Sequence, residues 1–156
     1  MKNRILMLVF LVLLLSAIGV YCYMGHTSVE IKYQNKLNDN TNILNARCLH
    51  EQTEEIDISN GKFNAGENQF GIYKTRHSSK SYGLYTYSFD VEVDGNIISP
   101  QINIVKTDWK ANYDVKIDFV VDSTTTATLS VSVNGVTRTE TFEDIQNTDI
   151  TLQFGP

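Results

Sequence analysis

Tyr85-Thr86-Tyr87-Ser88-Phe89-Asp90-Val91-Glu92-Val93, followed by Asp94-Gly95-Asn96, decides the fold. Large apolar side chains hold every second position and polar ones hold the positions between, the period of a strand with one buried face. Asp-Gly-Asn supplies residues that reach positive φ cheaply, so the strand is expected to end in a hairpin. The alternation recurs downstream in Tyr113, Val115, Ile117, Phe119 and Val121, set against Asp114, Lys116, Asp118 and Asp122. It returns in Ala127, Leu129, Val131 and Val133 before the turn Asn134-Gly135, and again in Ile150, Leu152 and Phe154. After Gly25 no segment has a helical period, a single turn over 142–146 apart. Strands of this kind make antiparallel sheets covered on one side. Two such sheets face to face give an all-β antiparallel sandwich of the jelly-roll kind.

Upstream the character changes. Lys2 and Arg4 precede an apolar run from Ile5 to Met24, long enough to cross a bilayer as one helix with its N-terminus held inside by the two cations. Residues 1–25 therefore read as a signal anchor, placing the remainder outside the cytoplasm. A cleaved signal peptide ending at Ala17-Ile18-Gly19 is the alternative and gives a secreted domain. Residues 26–45 are polar, with asparagine at 35, 38, 40, 42 and 45, and read as a spacer in which Val29, Ile31 and Tyr33 allow one short strand. Residues 46–156 form the sandwich.

With Lys2 and Arg4 set aside, 11 basic residues face 18 acidic ones, a formal −7 against −5 for the whole chain. Such a surface repels phosphate backbones and argues against nucleic acid as a partner. Cys22 and Cys48 lie outside any C-x-x-C spacing, so neither zinc nor a redox dithiol is indicated, and two independent thiols are expected. Glu51, Glu54, Glu55, Asp57, Asp144 and Asp149 match no EF-hand spacing. Solvated acids are the default there, calcium is the minority reading, and no cofactor is expected.

Two groups of residues invite ligand chemistry. With Ile102 and Ile104 in the core, Gln101 and Asn103 point together from the opposite face, and paired amides both donate to and accept from sugar hydroxyls. Lys74, Arg76, His77 and Lys80 form the one basic cluster, flanked by Tyr73 and Tyr82, and suit a carboxylated polymer. A solvated strand face and a solvated serine-rich loop are the plainer readings of the two groups. Trp109 is expected to anchor the strand that starts at Tyr113.

The order of segments adds a resemblance. "YTYSFDVEVDG" (85–95), "PQINIV" (100–105), "TDWKANYDVKIDFVVD" (107–122), "ATLSVSVNG" (127–135) and "ITLQFGP" (150–156) resemble the central and C-terminal part of concanavalin-like jelly-roll polysaccharide lyases of the alginate-, glucuronan- and heparin-lyase type. The resemblance covers residues 61–156. It implies a concanavalin-like jelly roll with a polysaccharide, of uronic-acid type, in a groove on one sheet. That family carries a Q-x-H motif whose histidine, with a later tyrosine, moves protons in β-elimination. Here Gln101 matches the glutamine, but Asn103 stands where the histidine belongs, and an amide is no base near neutral pH. The closing strand has Gln153 and reaches Pro156 before any tyrosine. Arg76-His77 is the nearest approach to the family's Arg-x-Glu strand.

The combined reading is an exported, membrane-anchored β-sandwich that binds polysaccharide through Gln101, Asn103, Arg76, Lys74 and Tyr73, without recognisable catalytic residues. The alternatives are a degenerate lyase using Arg76, His77 and Tyr73, and an envelope module that binds another protein by a sheet edge.

Overall fold

The computed structural model describes residues 2–22, 25–58, 61–65, 70–78, 82–107 and 112–155, without the side chains at 2–4, 16–22, 62, 64 and 65. Lys80, Trp109 and the end of the apolar run at Tyr23 and Met24, all singled out in the sequence, lie outside the described residues. In chain order the elements are α1 (Lys2–Cys22), β1 (His26–Asn35), β2 (Ile43–His50), β3 (Glu54–Ile56), β4 (Lys62–Ala65), β5 (Phe70–Ser78) and β6 (Gly83–Val93). They continue with β7 (Asn96–Ile98), β8 (Gln101–Lys106), β9 (Tyr113–Val121), β10 (Thr126–Val133), β11 (Val136–Glu143) and β12 (Thr151–Phe154).

The strands form two sheets. The first has the order β11-β10-β9-β1-β5-β4, and the second β12-β8-β6-β2-β3 with β7 beside β6. Their apolar faces meet in one core. Val29, Ile31 and Tyr33 lie beside Val115, Ile117 and Phe119 in the first sheet, opposite Tyr85, Tyr87, Phe89, Ile102 and Leu152 of the second. The Phe89 and Phe119 rings meet edge to face at 6.1 Å across the gap. The Tyr33 hydroxyl also crosses it, donating to the Glu92 carbonyl at 3.0 Å. Burial pushes the Tyr33 pKa up to about 12, so that hydroxyl stays a donor.

The expected strands at 85–93, 113–121, 127–133 and 150–154 fall within β6, β9, β10 and the residues through β12. Both expected hairpins form, with Asp94-Gly95 at φ 51° and 80° and Asn134-Gly135 at 49° and 85°. Two positive φ angles in a two-residue loop match the right-handed twist of the strands they join.

Three expectations need correction. The sheets are mixed rather than antiparallel, because β1 runs parallel to β9 and β12 parallel to β8. The chain reaches β9 and β12 from the other sheet, and such crossovers permit parallel neighbours where hairpins do not. Residues 26–35 are no spacer but a central strand, and the sandwich starts at His26 instead of residue 46. The asparagines that suggested a spacer instead build the 36–42 turn. Leu37 N bonds Asn35 Oδ1 at 3.0 Å, Asn40 N bonds Asn38 Oδ1 at 2.9 Å and Asn42 N bonds Asn40 Oδ1 at 3.3 Å, the side chains mimicking backbone acceptors. Finally, of the basic cluster read as a serine-rich loop, Lys74, Arg76 and His77 lie in strand β5, which runs to Ser78, while residues 79–81 lie outside the described residues.

The side chains described on α1 are those of Ile5 to Leu15, all apolar and exposed, from 49% at Leu14 to 76% at Met7. Among the described residues no helix is long and apolar enough to cross a membrane.

Candidate functional site

Strand β8 buries Ile102 and Ile104 and so turns Gln101 and Asn103 to the outer face of the second sheet. Register extends that pair sideways. Gln101 lies between Thr151 of β12 and Ser88 of β6, and Ser88 in turn opposes Arg47 of β2. Asn103 lies between Gln153 and Thr86, and Thr86 opposes Leu49. One row of amides and hydroxyls therefore runs across three strands and ends in the Arg47 guanidinium on a fourth, and a second runs across three strands and stops at Leu49. Thr86 Oγ1 donates to Asn103 Oδ1 at 2.8 Å, which fixes the amide and leaves its NH₂ group as a donor.

Beside these rows the register of β2 slips. Leu44 opposes Asp90 and Arg47 opposes Ser88, so Asn45 and Ala46 together face one residue of β6. This is a β-bulge, and Asn45 takes φ 46° within it. The bulge brings Asn45 Nδ2 to Asp90 Oδ2 at 2.8 Å, while Ser99 Oγ donates to Asp90 Oδ1 at 2.7 Å. Arg47 Nη2 stands 3.7 Å from the same carboxylate. Asp90 is 8% exposed although it lies on the outer face. It organises its neighbours, and the Arg47 side chain, 57% exposed, is left reaching outward.

The five residues named from the sequence divide three ways. Gln101 and Asn103 come together on the outer face of the second sheet. Lys74 and Arg76 share the outer face of the first, on the far side of the sandwich, where Lys74 Nζ is held by Glu30 Oε2 at 2.6 Å. Tyr73 points inward and is buried, its hydroxyl donating to the Ile58 carbonyl.

His77 is also inward, 5% exposed. Its Nδ1 lies 3.0 Å from the Ser78 carbonyl, which only accepts, so Nδ1 carries the proton and Nε2 accepts from the Tyr87 hydroxyl at 3.0 Å. Burial holds the His77 pKa below 6.5; the charges of Lys106 and His26 add to this and the Ser78 bond opposes it. Cys48, a free buried thiol, sits opposite Tyr87, and burial pushes its pKa up to about 12 against a hydrogen bond with that tyrosine. A thiol so placed is inert.

Among the described residues no three histidine, cysteine, aspartate or glutamate side chains gather to hold a metal. Glu51, from the acidic stretch, receives the Leu84 N–H at 2.9 Å, and Asp144 receives the Asn147 amide at 2.9 Å.

Sequence reasoning missed Arg47, Asp90, Asn45 and Ser99. One signal was present: an acidic residue at the centre of the strongest strand, where aspartate is disfavoured. No family model, no curated protein and no solved structure matches the chain.

Proposed function

We propose that this chain is an exported module, anchored by residues 5–24 of its N-terminal apolar segment, that binds polysaccharide on the outer face of its second sheet within a concanavalin-like jelly roll. The supporting observation is the pair of cross-strand rows centred on Gln101 and Asn103, with Asp90 and the bulge holding Arg47 at one end. Neighbouring strands stand about 4.8 Å apart, so hydrogen-bonding groups recur along each row at a spacing of the order of one sugar ring. Arg47 faces solvent at the end of its row, where a uronic-acid carboxylate would form charge-assisted bonds with it. Catalysis is not favoured, since Arg76 lies on the opposite face while His77 and Tyr73 are bonded within the core.

The test is retention of the full chain, in detergent, on a panel of immobilised neutral and uronic-acid polymers, with ultraviolet absorbance followed for unsaturated product. Gln101→Ala and Arg47→Ala are expected to weaken retention several-fold while Lys74→Ala does not. Retention indifferent to both outer-face substitutions, or absent from the whole panel, would overturn the reading. Absorbance would make the protein a lyase with an unconventional base.

A further inference from the structure

Where the first row ends, the surface folds inward. A groove of about 310 Å³ opens between residues 97–99 and the 145–150 segment. The buried Ile98, Ile145 and Ile150 lie beneath it, and Ile97, 57% exposed, is the one isoleucine that offers it much apolar surface. The opposite wall carries Gln146, Asn147, Thr148 and Asp149. This wall is held in place: Asn147 N and Thr148 N both bond the Asp144 carbonyl at 3.0 Å, and Ile145 N bonds Thr125 O at 3.0 Å.

Acceptor oxygens outnumber donors among these side chains. Gln146 gives one N–H to the Thr124 carbonyl at 3.3 Å and Asn147 one to Asp144 at 2.9 Å, so each keeps its oxygen and one further N–H. Ser99 donates its one proton to Asp90 and offers only lone pairs. The Asp149 carboxylate adds two further acceptor oxygens, and the Thr148 hydroxyl can also donate. Among the described residues no lysine, arginine or histidine lines the groove. Such a lining favours an uncharged ligand whose hydroxyl groups both donate and accept, with Ile97 as its apolar contact, and the one carboxylate, Asp149, repels carboxylates and phosphates. The volume lies at the lower end of the range for small-molecule sites, about 300–1,000 Å³, which suits one ring rather than an oligomer.

We infer that this groove binds a single uncharged sugar residue, as a subsite continuous with the outer-face rows. Continuity is built into two contacts: Ser99 lines the groove and bonds Asp90, while the Ile150 carbonyl accepts from Gln101 N at 2.9 Å. The inference rests on the glycan reading above and adds to it a preference: an uncharged residue in the groove beside the stretch that lies along Gln101 and Arg47.

The experiment uses ¹⁵N-labelled full chain in detergent, titrated with methyl glucoside, methyl galactoside, methyl mannoside and, as the charged counterpart, methyl glucuronoside. Saturable shifts of the Ser99, Thr148 and Ile150 amides are expected with at least one neutral glycoside, and binding about tenfold weaker with the glucuronoside, since like charges disfavour association. Thr148→Trp, at an exposed position, should fill the groove and remove the shifts. Asp149→Asn, which leaves the shape unchanged, should narrow the discrimination against the glucuronoside. Absence of saturable shifts with every neutral glycoside, a glucuronoside bound as well as the neutral ones, or shifts that persist in a folded Thr148→Trp protein would each overturn the groove assignment. Polymer retention lost in Gln101→Ala but kept in Thr148→Trp would leave the outer-face reading standing alone.

Discussion

The two outer faces of the sandwich are both polar, yet they are polar in different ways. On β1, β5 and β9 of the first sheet the groups are largely charged and several pair with one another: Glu30 lies 2.6 Å from Lys74 and 3.3 Å from Lys32, and Lys116 lies 3.6 Å from Asp114, while β10 and β11 carry hydroxyls such as those of Ser130 and Thr139, 2.8 Å apart. On the second they are mainly amides and hydroxyls arranged around one shielded carboxylate. Burial alone would raise the Glu30 pKa, but hydrogen bonds from Lys74 and Lys32, with their charges, bring it below the ordinary 4.5. Asp118, its neighbour on that face, is instead raised by burial and by the nearness of Glu30, against the pull of Lys32 and Lys116. A face that pairs its own charges has little left for a ligand. Of the basic cluster that drew attention in the sequence, Lys74 is paired in this way and His77 is buried, whereas the rows on the second sheet keep hydrogen-bonding capacity open.

The sharpest way to break this comparison is Asp90→Ala. It strips Asn45, Ser99 and Arg47 of a shared partner and is expected to cost about 3 kcal/mol in chemical denaturation. A loss no greater than that of Glu30→Ala would mean the two faces do not differ in organisation. Next comes acidity, which should act on the interior rather than on either face. The His77 pKa is depressed on folding, so the unfolded chain takes up the proton more readily. The stability that neutral His77 confers is complete above pH 6.5 and is lost as pH falls through 6.5 towards the lower folded-state value. Lys106, His26, Tyr85 and Tyr87 lie about the ring and none of them offers it a negative charge at neutral pH. Denaturation midpoints measured on either side of pH 6.5 should fall on the acid side, and His77→Gln should flatten that slope. An unaltered slope in the variant would assign the acid sensitivity to other groups.

Binding effects are smaller. Arg47→Ala and Gln101→Ala should each weaken polymer retention by about 1 kcal/mol, roughly fivefold, the worth of one hydrogen-bonding group. The smallest change belongs to the first sheet. Lys74→Ala removes an ion pair whose lysine is largely exposed, and both stability and retention should move by less than about 1 kcal/mol. Weaker retention in that variant would shift the site to the opposite face.

What was legible in the sequence follows the contrast between the two faces of each strand. In β6, β9 and β10 the inward positions are large and apolar and the outward ones mostly polar, so period two stood out. Strand β5 hides it, because its inward residues are Gly71, Tyr73, Thr75 and His77. Strand β11 inverts it. Arg138 and Glu140 share the side that Val131 and Leu129 turn to the core, but at the sheet edge, where Arg138 donates to the Gln153 carbonyl at 2.7 Å. Inward charges of this sort blunt an edge against further strand pairing, which also weakens the protein-docking alternative. Gln101 and Asn103 were readable as a pair because one strand carries both. Arg47, Asp90 and Ser99 become neighbours only through strand order and a bulge, and neither leaves a periodic trace.

The central place of β1 has a mechanical consequence. Nine of its residues are in register with β5 and nine with β9, so the strand is gripped on both sides along nearly its whole length. Tension arriving through the N-terminal segment enters at His26 and runs along the strand axis. It therefore loads both ladders in shear, so that many bonds must yield together instead of opening one by one from an end. For a domain tethered at its N-terminus, resistance to being pulled away from the tether is then governed by a slow unfolding step and not by the strength of any single bond.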